Sequence, residues 1–325
     1  MTSAAPPTAV EAASTIQSAP MGESEWRLVW RRLRRKRLAM ISLVIISIIY
    51  GMGIFAPVLA PYSYTQTNLD IPRQGPTREH WLGTDTLGRD MLSRTMYSAR
   101  TTLIVTTAVI LSGSLIIGNT IGLLSGYRGG WVDALFMRVG DVFSSLPGLV
   151  MLILINATLG ERVTGVVRGF ERSTGIGGLV ASGLPSYLLV FSALSLFFWV
   201  GTARIIRAQI LQLRERDFII SAEALGATPW RVIRYHLLPN VTFLVILQVS
   251  ATLGGIAGSE IVLTWFGVGV QPPAASFGAM LFEGSGTRTF QTAPHLLLVP
   301  GGVVTLLLFA FNLLGDALND AVRGR

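Results

Sequence analysis

The chain has no cysteine, which excludes disulfide bridges, thiolate nucleophiles and cysteine-ligated metals. It has a single lysine, Lys36, set in the run Arg34-Arg35-Lys36-Arg37. A phosphate-binding P-loop needs a lysine after a glycine-rich turn, so this chain carries no Walker-type ATPase of its own. Histidine is scarce: His80, His236 and His295 are scattered and make no metal-ligand cluster. Charge of any kind is scarce too, at 14% of 325 residues. No apolar stretch holds a carboxylate or histidine deep in its middle with a relay partner, which leaves a proton-coupled carrier without its working parts.

What is present in quantity is apolar surface, 50% of the chain, the composition of an all-α integral membrane protein rather than a soluble domain. The 26 basic residues outnumber the 18 acidic ones. They flank apolar stretches instead of lining one face, so they report membrane topology and not nucleic-acid binding.

Crossing about 30 Å of hydrocarbon takes about 20 helical residues. Runs of that length lie at Leu38 to Ala60, Thr101 to Gly126, Pro185 to Ala203, Val241 to Ser259 and Thr289 to Gly315. A further one, Asp133 to Leu159, is interrupted by Arg138 and Asp141, which can pair with each other or lie at the interface while Val142 to Leu159 crosses. Six spans put both termini on one side. The seven cations of Arg27 to Arg37 mark that side as cytoplasmic. The stretch from Ser221 to Asn240 then falls in the cytoplasm, with residues 160–184 outside.

Residues 1–23, rich in Ala, Ser, Thr and Pro, read as a disordered tail. Residues 24–37 interleave Trp26, Leu28, Val29, Trp30 and Leu33 with arginine, as expected of a basic helix resting on an anionic leaflet. Residues 38–325 form the six-span membrane domain.

The polar segment 214–240 reads as an elbow. Arg214 to Leu225 has helix-forming composition, and Gly226 stands where a left-handed C-terminal cap is needed. Thr228 caps a second helix with Pro229 at its first position, running from Trp230 to Leu238 and ending at Pro239. Phe218, Leu225 and Trp230 are available for burial in a groove on another protein.

Glu223-Ala224-Leu225-Gly226 followed by Leu238-Pro239 resembles the EAA loop of ABC importer permeases, the coupling helix that docks on a separate ATPase. The stretches GTDTLGRDMLSR (83–94), GYRGGWVD (126–133), RERDFIISAEALGA (214–227), FGVGVQPP (266–273) and NLLGDALND (312–320) are similar, in order, to the C-type permease subunit of dipeptide and oligopeptide importers. His236, three residues before Pro239, departs from the aliphatic residue usual in the EAA pattern, and residues 160–184 are longer than the family pattern.

The resemblance implies a type I importer permease fold in a bacterial inner membrane and no cofactor in this chain. ATP and magnesium belong to two partner ATPases. A homologous second permease subunit and an external substrate-binding protein complete the assembly. It also implies an ATPase-coupling role for Phe218, Ser221, Glu223, Ala224, Leu225, Gly226, Ala227, Trp230, Leu238 and Pro239, with Glu223 holding the elbow or the contact through an ion pair or hydrogen bond. Peptides are the substrate it points to, and nickel or another small solute is the alternative. A secondary transporter or channel would need an internal coupling ion or a self-sufficient pore, and neither an internal repeat nor buried relay residues are evident.

Two further clusters stay open between structural and functional roles. Asp85, Arg89, Asp90 and Arg94 either form a salt-bridge network shaping the external mouth or contact the binding protein or partner subunit. Glu260 either faces the pathway with Gly254, Gly255 and Gly258, or hydrogen-bonds to backbone where FGVGVQPP breaks the helix. The 160–184 segment is either a partner contact or a tolerated surface insertion.

Overall fold

The computed structural model describes residues 25–323, with side chains from residue 30 to 321. The tail expected over residues 1–23 lies outside them. Among the described residues there is no strand, only an isolated bridge between Thr84 and Asp90. Helices dominate because a bilayer offers no water to backbone N–H and C=O groups, which must pair within their own segment.

Six helices among the described residues are long and apolar enough to cross a membrane. The basic helix α1 (Glu25–Arg35) leads into α2 (Arg37–Ile54), the first span. A single helical turn at Ala56–Leu59 follows α2, and the other elements are α3 (Met91–Arg128), α4 (Gly130–Ser145), α5 (Gly148–Thr174), α6 (Leu184–Leu213), α7 (Asp217–Ala224), α8 (Pro229–Trp265), α9 (Phe277–Gly284), α10 (Thr287–Thr292) and α11 (His295–Arg323).

The interrupted third span resolves into two helices. Leu146 is extended ahead of Pro147, which breaks α4 from α5. Crossing helix α5 therefore starts at Gly148 rather than Val142. Arg138 and Asp141 do not pair with each other: Asp141 bonds Arg204 of α6 at 2.8 Å, and Asp133 pairs with Arg207 one turn further along. The residues expected as an external loop from 160 are helical to Thr174, where Gly175 in the left-handed conformation (φ 73°) ends α5.

A long, close seam joins α3 and α6. A methyl group built on Gly118, Gly122 or Gly126 would meet the carbonyl oxygens of Trp199, Ala203 and Arg207 at 2.9, 2.8 and 3.0 Å. Glycine at every fourth position lets the two backbones approach where lipid gives no hydrophobic driving force between helices. Gly113 also faces α6, 3.0 Å from Ser195 by the same construction, five residues before Gly118. A π-helical stretch at Ile110–Gly118 supplies the extra residue per turn that keeps both glycines on one face.

A second core forms where α9 wedges between α8 and α11. Phe277 is fully buried with Ala257, Ile261, Leu307 and Phe311. Gly278 lies so close that an added methyl would sit 2.3 Å from the Ile261 carbonyl oxygen.

The glycine seam yields a direct expectation. Gly122→Ala overpacks α3 against α6 and costs about 1–3 kcal/mol, so the melting temperature of the detergent-solubilised protein should fall by several degrees. Gly201→Ala, on the open side of α6 with nothing within 4 Å of the new methyl, should leave that temperature unchanged. Equal melting of the two variants would contradict the packing account.

Candidate functional site: the elbow and the opposite mouth

Helix α7 begins after extended Arg216, with Asp217 in its first turn where the helix dipole favours a negative charge. It ends in a Schellman arrangement. The Gly226 N–H donates to the Glu223 carbonyl at 2.9 Å, and the Ala227 N–H donates to the Ala222 carbonyl at 3.0 Å. Gly226 stands at φ 84°, a conformation costly for any side chain with a Cβ. Thr228 then accepts from the Arg231 N–H at 3.4 Å, and Pro229 opens α8 where its missing amide proton costs nothing.

The second arm is not a short helix ending at Pro239. It continues through Pro239 into the fifth span as one helix, Pro229–Trp265. A π-helical turn at Ile233–Leu237 makes this possible: Leu238 donates to Ile233, five residues back, and the widened turn accommodates the proline ring.

The elbow is amphipathic. Ile219, Val232 and Leu237 are fully buried with Leu123, Ile206 and Ile210 of α3 and α6. Ala227 and Leu238 are half-buried against the same cluster. Phe218, Leu225 and Trp230 point outward, Leu225 being 88% exposed. Ile220 and Tyr235, which the sequence reading passed over, are exposed beside them. Ser221, Glu223, Ala224 and Pro239 are also exposed. An outward apolar patch at the tip of a polar segment is a surface of the kind that partners cover.

Glu223 is tied to the membrane domain: its Oε1 accepts from the Tyr127 hydroxyl, at the end of α3, at 2.8 Å. Arg214 reaches the Gly126 carbonyl nearby, at 3.5 Å. His236, the departure from the aliphatic pattern, lies 6.3 Å from Phe218 between ring centres. The basic helix lies at this same end. Arg32 donates to the Ala321 carbonyl at 3.0 Å, Lys36 pairs with Asp320 at 2.8 Å, and Leu33 packs with Ala317, Ala321 and Phe243.

At the opposite end, Arg89 and Arg94 join Asp85 to Glu283 of α9, a partner about two hundred residues away that sequence reasoning missed. Arg94, 3% exposed, pairs with Asp85 and grips Glu283 at 2.6 and 2.9 Å. Arg89 holds Asp85 at 2.5 Å and Glu283 at 3.1 Å. Asp90 does not join this network. It caps α3, accepting from the Ser93 N–H at 2.7 Å, and its other oxygen meets His80 Nδ1 at 2.9 Å.

Glu260 is fully buried, and its partners are hydroxyl groups rather than backbone. Thr102 donates to Oε2 at 2.9 Å, and Thr264 to Oε1 at 3.2 Å. Gly254 and Gly258 pack on Phe311 and Leu308 of α11, and Gly255 faces Phe198 of α6. Among the described residues no cluster of three His, Asp or Glu could hold a metal ion.

Residues 118–325 match the family described as the binding-protein-dependent transport system inner membrane component. The chain belongs to that family. Residues 24–76 match the N-terminal transmembrane domain of oligopeptide transport permease C. The chain is 32% identical over 316 residues to the oligopeptide transport system permease protein of Bacillus subtilis (strain 168), covering 97% of this chain and 95% of that one. It is 35% identical over 300 residues to the dipeptide transport system permease protein of Alkalihalophilus pseudofirmus, covering 92% and 90%. It is 32% identical over 299 residues to the glutathione transport system permease protein of Pectobacterium atrosepticum, covering 91% and 90%. This permease is thus a multi-pass inner-membrane component of a binding-protein-dependent transport system.

The mouth network separates two kinds of substitution. Arg94→Met leaves buried Asp85 and Glu283 to share the single cation Arg89 and should cost the permease about 3–5 kcal/mol, read as loss of folded protein in detergent. Asp90→Asn keeps an N-cap acceptor and should change stability by less than about 1 kcal/mol. A tolerated Arg94→Met would break the argument.

Proposed function

We propose that this permease is one half of the translocation pathway of an ATP-driven importer for di- and oligopeptides, alternating between outward-open and inward-open states. A homologous second permease subunit forms the other half, and an external binding protein delivers the peptide. Two ATPase subunits hold ATP and magnesium, while this chain holds no cofactor of its own. Both termini and the elbow are cytoplasmic.

The observation that carries this reading is the elbow. Its outward face presents Phe218, Leu225 and Trp230, while Ile219 and the Glu223–Tyr127 bond fix its inner face to the ends of α3 and α6. A patch that is exposed on one side and rigidly tied on the other suits a lever. ATP binding draws the two ATPases together, and coupling elbows seated in them carry the displacement into the spans. The peptide assignment draws on the dipeptide and oligopeptide permeases among the relatives. The glutathione permease relative favours a second reading in which the cargo is a small modified peptide.

The test is the assembled importer in proteoliposomes. Gly226→Pro and Glu223→Arg should leave membrane insertion intact and abolish peptide-stimulated ATP hydrolysis. Tyr127→Phe should reduce stimulation less severely, because it removes one anchor and leaves Ile219 in place. Stimulation unchanged in Gly226→Pro and Glu223→Arg would refute the lever.

A further inference from the structure

A cavity lies at the end of the molecule away from the elbow, between α5 and the start of α6. It measures about 640 Å³, within the range of small-ligand sites. Its lining is polar: Asn156, Glu161, Thr164 and Arg168 from α5, with Gly269 and Gln271 from the loop after α8. Gly160, Glu161, Thr164 and Arg168 belong to the segment that is longer than the family pattern. Five charges between Glu161 and Arg172 place it beyond the hydrocarbon, where charged groups are hydrated.

Glu161 and Arg168 are exposed and make no hydrogen bond or ion pair with another described residue. They are seven residues apart, two helical turns, so both project from one face with about 10 Å of rise between their Cα atoms. Opposite charges at that distance do not neutralise each other. The spacing matches the ends of roughly three extended residues at about 3.3–3.6 Å each. Between them the amide oxygens of Asn156 and Gln271 can accept from peptide N–H groups, while the Gln271 amide nitrogen donates to the Gly267 carbonyl and the Thr164 hydroxyl to the Gly160 carbonyl. Asn156 is itself held in place by donating to the Val268 carbonyl.

We propose that this cleft is an entry subsite for short zwitterionic peptides, with Glu161 receiving the free amino terminus and Arg168 the free carboxylate. The site selects for cargo whose two ends are both charged and about three residues apart. It rests on the peptide-importer reading and adds to it a place on this chain where length and terminal charge are sensed before translocation.

The test measures KM for uptake of tri-alanine, N-acetyl-tri-alanine and tri-alanine amide by the complete importer in proteoliposomes, with one binding protein throughout. Acetylation should raise KM in the wild type, and this penalty should shrink about tenfold in Glu161→Gln while the amidation penalty stays. Arg168→Gln should do the reverse. Because the binding protein is common to all arms, a change in these ratios belongs to the permease.

Penalties identical to wild type in both variants would overturn the subsite, as would an equal rise in KM for all three peptides, the mark of a merely structural role. A wild-type complex that transports none of the three would remove the peptide-importer reading and the subsite together. Peptide uptake with unaltered ratios removes the subsite alone.

Discussion

The close approach of α3 and α6 is the constraint on which the rest depends. Inside a bilayer, apolar side chains gain nothing by leaving lipid for one another, so helices associate through contact area and backbone proximity. The glycines of α3 provide that proximity, and it extends to the end of the helix, where Gly126 lies against Arg207 and Ile210. Two features follow from the seam. Tyr127, the next residue, is brought within reach of Glu223. Arg207, held at the seam, is presented to Asp133 of α4. The elbow is thus fixed by a bond at its surface and by the packing behind that bond.

Polar groups in this protein are concentrated at the two ends and differ in how they are satisfied. At the elbow end the pairs are largely exposed, such as Arg204 with Asp141 and Lys36 with Asp320, and such pairs add little stability. At the mouth Arg94 and Asp85 are buried, and Arg89 and Arg94 each bridge Asp85 and Glu283, so the four charges compensate one another and removal of one leaves the rest unbalanced. The mouth is consequently built as a stiff frame joining the start of α3 to α9, with Asp90 capping the helix beside it. Glu260, deeper in the core, belongs to the same joinery: its two hydroxyl partners come from α3 and from its own helix.

Much of this was legible from residue order. Apolar runs placed six spans, and the Gly226, Thr228 and Pro229 positions placed the turn of the elbow, because capping chemistry is local. What was not legible depended on contacts distant in sequence or on rules that compete. Glu283 has no local signature linking it to Arg94. Pro239 reads as a helix stop, yet the π-helical turn before it absorbs the ring and the helix runs on. Charges and glycines made residues from 160 onward read as a loop, although glycine in a helix costs only about 1 kcal/mol and α5 persists to Thr174. The Leu146-Pro147 break and the glycine spacing of α3 were both visible in the sequence as signals and were outweighed by the apolar count.

The continuity of α8 through Pro239 has a mechanical meaning. A helix of 37 residues is a rod of about 55 Å. One end begins at the elbow with Trp230 on its exposed face, and the other reaches Trp265 beside the loop that walls the outer cavity. The π-helical turn at Ile233–Leu237 and Pro239 sit at its elbow end, where a helix can bend, so the unbroken stretch from Pro239 to Trp265 is the part that moves as one piece. In the proposed cycle, a displacement of the elbow reaches the far face along this one helix.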